Sequence, residues 1–278
     1  MQRTVSVALT NGFGNNIFQY VSARLLAEHH NTYHFVTPPW PDYYAIGDLK
    51  QLNINFEPRP MNSPLNITDK SYKAAYDSLL SNQDLSLSGY FEDYTYYFPH
   101  RDRIKTWFPK VDSREDNALV LHLRTGDRLV MKNEFYSKPT VENYLRAMEK
   151  FDFDELHIVT DMPVWEKITP DSFSEMKFHL NTPAHERVPV EETVKYFNAF
   201  VEGFAQFNPI IEKRSIVEDF NFIRKFKNIL FEHGTLSWWA AFLSDAEKVG
   251  VYGPWRPWKK DTNKNLSQIP LDTWFKWE

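Results

Sequence analysis

Val120-Leu121-His122-Leu123-Arg124-Thr125-Gly126-Asp127 is the stretch whose reading decides the fold. Apolar positions from Leu119 to Leu121 run into a His, an Arg and a Gly-Asp turn. That order predicts a buried strand whose C-terminal end opens into a site, the edge at which open α/β sheets bind ligands. An arginine placed there presents a planar, permanently charged fork suited to a phosphate. Taken alone, the same residues also fit a strand ending in a surface salt bridge.

The flanking sequence alternates in the same way. A strand over 5–9 is followed by the turn Asn11-Gly12-Phe13-Gly14-Asn15 and a helix over 16–29. In that helix Ile17, Tyr20, Val21, Ala23, Leu25 and Ala27 form one apolar side. Strands are expected over 33–36, stopped by Pro38-Pro39-Trp40-Pro41, and over 85–90, with a helix over 96–107. Residues 53–71 are polar and Pro-containing and read as loops. Beyond 108–117, a charged, Pro-containing boundary, strands over 119–123, 155–160, 228–231 and 248–252 alternate with helices over 141–150, 216–226 and 236–243. Residues 166–212 carry no readable pattern.

Such βαβα order implies parallel sheets. The expected architecture is two Rossmann-type α/β halves facing each other across a cleft. They are an N-terminal α/β domain over 1–112 and a C-terminal Rossmann-like domain over 113–255, with a tail over 256–278 packing back on the first.

At 278 residues the chain fits one large domain or two of about 120–150. It is 42% hydrophobic and 16% aromatic, enough to fill a sizeable core and leave rings for a sugar-binding surface. Net charge is −5 with no long basic run, which argues against a nucleic-acid partner. The absence of cysteine excludes disulfides and thiolate metal sites. No apolar stretch reaches the ~18 residues of a membrane span, and no signal peptide is evident, so a cytoplasmic location is expected. Asn66-Ile67-Thr68 and Asn265-Leu266-Ser267 match the glycosylation sequon and are read as chance.

Two turns suit an anion. In Asn11-Gly12-Phe13-Gly14-Asn15-Asn16 the glycines let backbone approach a ligand at a helix start, although the dinucleotide fingerprint lacks its third glycine. Glu232-His233-Gly234-Thr235-Leu236-Ser237-Trp238-Trp239 opens a helix with small and hydroxyl residues, Thr235 or Ser237 serving as N-cap in the absence of ligand. The Trp pair is read as packing. Asp152-Phe153-Asp154 has the metal-binding D-x-D pattern but precedes a strand instead of following one, and reads as a solvated turn. His29, His30 and His34 lack a carboxylate at ligand spacing, so no zinc site is expected.

In order, these segments resemble glycosyltransferase family 11, the α-1,2-fucosyltransferases, within the GT-B fucosyltransferase superfamily. Asn11 to Val21 is similar to the family's G-G-L-G-N-Q-M-F-Q-Y-A, and Gly89 to Phe98 to its G-Y-W-Q-S-E-K-Y-F with one extra residue. His122 to Asp127 resembles H-I-R-R-G-D, Val159-Thr160-Asp161-Met162 resembles F-S-D-D, and Gly234 to Leu243 resembles S-T-F-S-W-W-G-A-W-L. The resemblance implies a GT-B-like fold and an inverting, metal-independent transfer of L-fucose from GDP-fucose to a hydroxyl of a glycan acceptor, with no cofactor beyond the nucleotide sugar. It implies that Arg124 holds the diphosphate leaving group, that His122 and Asp219 contact guanine, and that Thr235 and Ser237 bind phosphate. Gly12, Gly14, Asn15 and Gly234 complete the nucleotide-sugar site. Glu92, Asp93 and Asp127 are the candidate bases that deprotonate the acceptor.

This chain departs from the family where the second Arg of H-x-R-R is Thr125, where Q-S is Glu92-Asp93 and where N-S-[ST] is His233-Gly234-Thr235. A relative using another nucleotide sugar, such as UDP-xylose, fits these departures. A non-catalytic nucleotide- or carbohydrate-binding protein of the same fold is the alternative of another class.

Overall fold

The computed structural model describes residues 4–10, 12–37, 43–57, 61, 63–78, 83–132, 138–176, 183–232, 234–253 and 271–278, and of 33–35 and 127 the backbone alone. Asn11, Pro38–Pro41, His233, Asn265 and most of the expected tail lie outside the described residues, as do the side chains of His34 and Asp127.

The first half runs β1 (Thr4–Ala8), α1 (Phe13–His29), β2 (Tyr33–Thr37), α2 (Ile46–Gln51), β3 (Leu65–Ile67), α3 (Asp69–Asp77), β4 (Leu85–Leu87) and α4 (Arg101–Lys105). The second runs β5 (Ala118–Leu123), α5 (Gly126–Val130), α6 (Val141–Met148), β6 (Glu155–Thr160), α7 (Pro170–Glu175), α8 (Val190–Phe204), β7 (Ile210–Glu212), α9 (Ile216–Ile223), β8 (Asn228–Phe231), α10 (Thr235–Leu243), β9 (Lys248–Tyr252) and β10 (Trp274–Trp277). Among the described residues every pairing between these strands is parallel: β2-β1-β4-β3 in one sheet and β10-β9-β8-β5-β6-β7 in the other. The expected parallel α/β architecture is therefore found. Strand β5 is central because Leu119, Val120 and Leu121 are buried on both faces, as a strand covered by helices requires.

The two halves share one core. A single apolar cluster runs from Val5, Val7 and Ile17 through Phe220, Ile229 and Trp238. At its centre Phe18 of α1 lies 5.2 Å and 4.8 Å (ring centroids) from Trp238 and Trp239 of α10. Both tryptophans are fully buried, in keeping with their reading as packing. On the opposite face of the second sheet, Leu119, Leu121 and Leu123 pack with Tyr144, Phe200 and Phe204.

Several expectations need correction. The helix expected over 96–107 is two 3-10 turns, Tyr94–Tyr96 and Phe98–His100, followed by the short α4, because Pro99 lacks the N–H a continuous helix needs. Strand β4 stops at Leu87 instead of continuing to residue 90, because the Asp69 carboxylate takes the N–H groups of Tyr90 (3.2 Å) and Phe91 (2.6 Å). Residues 53–71, read as loops, contain β3 and the start of α3. The C-terminal segment was expected against the first half; its described residues 271–278 instead add edge strand β10 to the second sheet.

Candidate functional site

Helix α1 begins at Gly12, whose φ of 97° favours glycine, and its first turn is set by a buried polar network. Gln19 Nε2 donates to Thr10 Oγ1 (3.0 Å) and to the Gly89 carbonyl (2.8 Å), and Thr10 N donates to Gln19 Oε1 (3.0 Å). The Tyr43 hydroxyl donates to Asn16 Oδ1 (2.6 Å), and Asn16 Nδ2 donates to the Thr10 carbonyl. Sequence reasoning missed Asn16, Gln19 and Tyr43 as positioning residues; two amides three apart on an apolar helix were the available signal.

Gly14 allows the N-termini of α1 and α10 to meet. A Cβ there would collide with Leu236 N and the Thr235 carbonyl carbon, both backbone, and with Thr235 Oγ1 at 2.5 Å. Two sequence-predicted turns from opposite halves are thus brought together. The first N–H groups of each helix have no partner within that helix, an arrangement that suits an anion.

His122 and Ser237 are also joined, by a hydrogen bond between His122 Nδ1 and Ser237 Oγ. A Cβ on Gly234 would lie 3.1 Å from that hydroxyl and 3.8 Å from the His122 ring. Burial pushes the His122 pKa down to about 4, with Asp161 pulling it up and Arg124 pushing it further down. The ring is therefore neutral at pH 7. Arg124 is half-buried beyond the C-terminal end of β5, and its charge is felt by both His122 and Glu232.

Thr125, where the family has a second Arg, faces a different task. Asp161 Oδ1 accepts from Thr125 N (2.8 Å), from Gly126 N (2.8 Å) and from Thr125 Oγ1, which also meets Thr160 Oγ1 at 2.9 Å. The loop carrying Arg124 is thereby tied to the end of β6. Asp161→Ala should cost about 1–2 kcal/mol, as several charge-assisted bonds to an exposed carboxylate are lost. Thermal melting paired with nucleotide titration should show both lower stability and weaker binding.

Asp219 on α9 is half-buried, and its Oδ1 has no hydrogen-bond partner among the described residues. Burial raises its pKa to about 7 against the opposing pull of Arg214, with Glu212, Glu218 and Asp161 adding to the rise. Its neighbour Phe220 meets Phe13 of α1 edge-on at 5.8 Å.

The candidate bases differ in their surroundings. Asp93 caps the first 3-10 turn, accepting from Thr95 N (3.0 Å) and Thr95 Oγ1 (2.6 Å). Glu92 is buried, next to Phe91, whose φ of 55° is seldom adopted by a non-glycine residue. Phe91 is pinned there by Asp69 and by the Tyr97 hydroxyl, which donates to its carbonyl. Asp127 lies on α5, and its side chain is outside the description.

Asp152 and Asp154 are exposed ahead of β6, at the sheet edge opposite Arg124. Among the described residues no group of three or more His, Asp or Glu side chains is arranged to hold a metal, and no helix is long and apolar enough to cross a membrane.

No protein-family model matches the chain, and no curated protein matches it in sequence. Among solved structures, it is similar to the bacterial iron-containing dodecameric glycosyltransferase TibC from enterotoxigenic E. coli H10407 (TM-score 0.40, 9% identity, 90% of this chain covered). This chain spans 58% of the TibC chain. It is also similar to NodZ α-1,6-fucosyltransferase soaked with GDP-fucose (TM-score 0.39, 11% identity) and co-crystallised with GDP (0.38, 12%), with 90% of this chain and 94% of that chain covered in each.

Proposed function

We propose that the chain is an inverting, metal-independent glycosyltransferase that moves a sugar, L-fucose from GDP-fucose, to a hydroxyl of a glycan acceptor. The observation that carries this reading is Arg124 at the end of β5 beside His122, which Ser237 ties to the first turn of α10. In the transition state a cationic sugar separates from a diphosphate, and charge builds on the leaving oxygen. A fixed guanidinium and oriented N–H groups from α1 and α10 stabilise that charge without reorganising. Gly12, Gly14, Asn15, Gly234 and Thr235 line the approach to those N–H groups, and neutral His122 can exchange a hydrogen bond with a base. The Asp219 carboxylate suits the N–H donors of guanine.

On the acceptor side the candidate bases are Glu92, Asp93 and Asp127, of which the Asp93 carboxylate already accepts from Thr95. One observation favours a second donor, a nucleotide sugar such as UDP-xylose. Thr125 serves Asp161, so the second cation of the family motif is not replaced at that position.

A thermal-shift panel of GDP, UDP, GDP-fucose and UDP-xylose tests the site and names the donor. Ligand at a hundred times its Kd stabilises by about 2.7 kcal/mol. GDP compounds are expected to shift the melt and uridine compounds not. Nucleotide binding without transfer to any glycan would indicate the non-catalytic alternative. Transfer in excess EDTA should stay within a few-fold of that with magnesium or manganese, because Arg124 and two helix N-termini supply the charge. Loss of activity on chelation, restored by manganese, would overturn the metal-independent mechanism.

A further inference from the structure

We propose that Glu232 is a positioning residue for this site. Buried at the C-terminal edge of the second sheet, its carboxylate acts as counter-charge to Arg128, Lys138 and Arg124 and sets how tightly a nucleoside diphosphate binds. The inference rests on the diphosphate reading of the site and adds a residue that the sequence motifs do not mark.

Strand register fixes the placement. His122 pairs with Phe231, so Glu232 comes one residue beyond, level with Leu123. Side chains alternate along a strand. Phe231 faces the core shared with α10, and Leu230 faces the cluster of Leu121, Leu123, Tyr144, Phe200 and Phe204. Glu232 has the parity of Leu230 and is 6% exposed, a carboxyl group set against an apolar cluster. Burial there is costly unless cations and hydrogen-bond donors compensate it.

The compensating groups come from several elements. Arg128 projects from α5 with Nε and Nη1 buried, and its charge acts on Glu232 and on Lys138. Lys138 Nζ donates to the carbonyl of Leu129, the residue after Arg128 (3.0 Å), and lies 5.6 Å from the Tyr196 ring centroid. Tyr196 in turn donates its hydroxyl to the Pro139 carbonyl (2.7 Å), fixing α8 against this segment. The Tyr144 phenol of α6 acts on the Glu232 carboxyl, as do the charges of Arg124 and, with opposing sign, Asp161. The charge of Glu192 on α8 acts on Lys138, and Tyr252 of β9 influences Tyr144 and Tyr196.

The pocket therefore changes charge near neutral pH. Burial raises Glu232 to about 7, against the pull of Arg128 and Arg124, and burial lowers Lys138 to about 8. Below pH 7 a neutral Glu232 leaves the cations to attract an anion. Above it the carboxylate offsets them, and loss of the Lys138 proton near 8 acts in the same direction. Diphosphate affinity should fall as pH rises through 7.

Titration calorimetry with GDP, UDP and the matching nucleosides at pH 6, 7 and 8 tests this. Ionisation of the nucleotide itself cancels when two proteins are compared at one pH. Glu232→Gln should bind diphosphate like wild type at pH 6 and about fivefold tighter at pH 8, with nucleoside affinity unchanged. A purely structural role predicts weaker binding at every pH, and that result, or an unaltered pH slope, overturns the proposal. If Glu232→Gln does not fold, Arg128→Gln decides. It should lose about tenfold in diphosphate affinity with nucleoside affinity kept, and unchanged diphosphate binding overturns the proposal. Wild-type protein that binds neither GDP nor UDP overturns the donor-site reading and this inference together, whereas wild-type binding with an unaltered slope in Glu232→Gln overturns this inference alone.

Discussion

Arg124→Ala is expected to lower sugar transfer by on the order of a hundredfold or more while leaving the fold intact. The side chain is half-buried and outside the apolar clusters. Its loop is held through Thr125 and Gly126 by Asp161, none of which the substitution touches. On the proposed mechanism, what is lost is a fixed positive charge facing the leaving diphosphate. Arg124→Lys should also fail substantially, since an ammonium cannot reproduce the two-pronged guanidinium geometry. An independent readout accompanies the kinetics. Arg124 helps to hold His122 neutral, so its removal should let the His122 pKa rise from about 4, a change visible in an NMR titration. Full activity in the alanine variant would remove the basis of the proposed mechanism.

How much of this was legible in the sequence depends on what fixes each element. Strand β5 was readable because Leu119, Val120 and Leu121 form an unbroken apolar run, which only a strand covered on both faces requires. The turns at Gly12–Asn15 and Gly234–Ser237 were readable because glycine and hydroxyl residues at a helix start have a local cause. Helix α5, five residues long, is too short for a periodic signal, as is the three-residue β3. Residues 166–212 hold α7, α8 and β7, and there a Phe-rich helix face finds its partners only through tertiary contact: Phe197 meets Trp165, and Phe200 meets Tyr144.

The candidate site divides in the same manner. His122, Ser237 and Gly234 lie together, and Gly14 meets Thr235. The role of Asp161 depends on two strands being adjacent, and that of Glu232 depends on strand parity. Neither is visible until the register is known.

Gly14→Ala is expected to damage the protein strongly. Its added Cβ would fall far inside contact distance of Leu236 N and the Thr235 carbonyl carbon. These are backbone atoms, so no rotamer change can relieve the overlap and the two helices must move apart. That displacement would disturb the packing of Phe18 against Trp238 and Trp239. Overpacking a core typically costs about 1–3 kcal/mol, and backbone clashes belong at the upper end. Alanine returns about 1 kcal/mol through its better helix propensity. The net loss of about 2 kcal/mol or more corresponds to a fall in Tm of roughly 4–8 °C for a chain of this size.

On the proposed reading, nucleotide binding should fall further than stability, because the two helix N-termini proposed to hold the anion are separated by the same movement. Gly47→Ala supplies the control: it lies in α2 with open space around its Cβ position, and should be neutral or slightly stabilising. A Gly14→Ala protein that melts with wild type and binds nucleotide equally well would show that the close approach of α1 and α10 does not build the site.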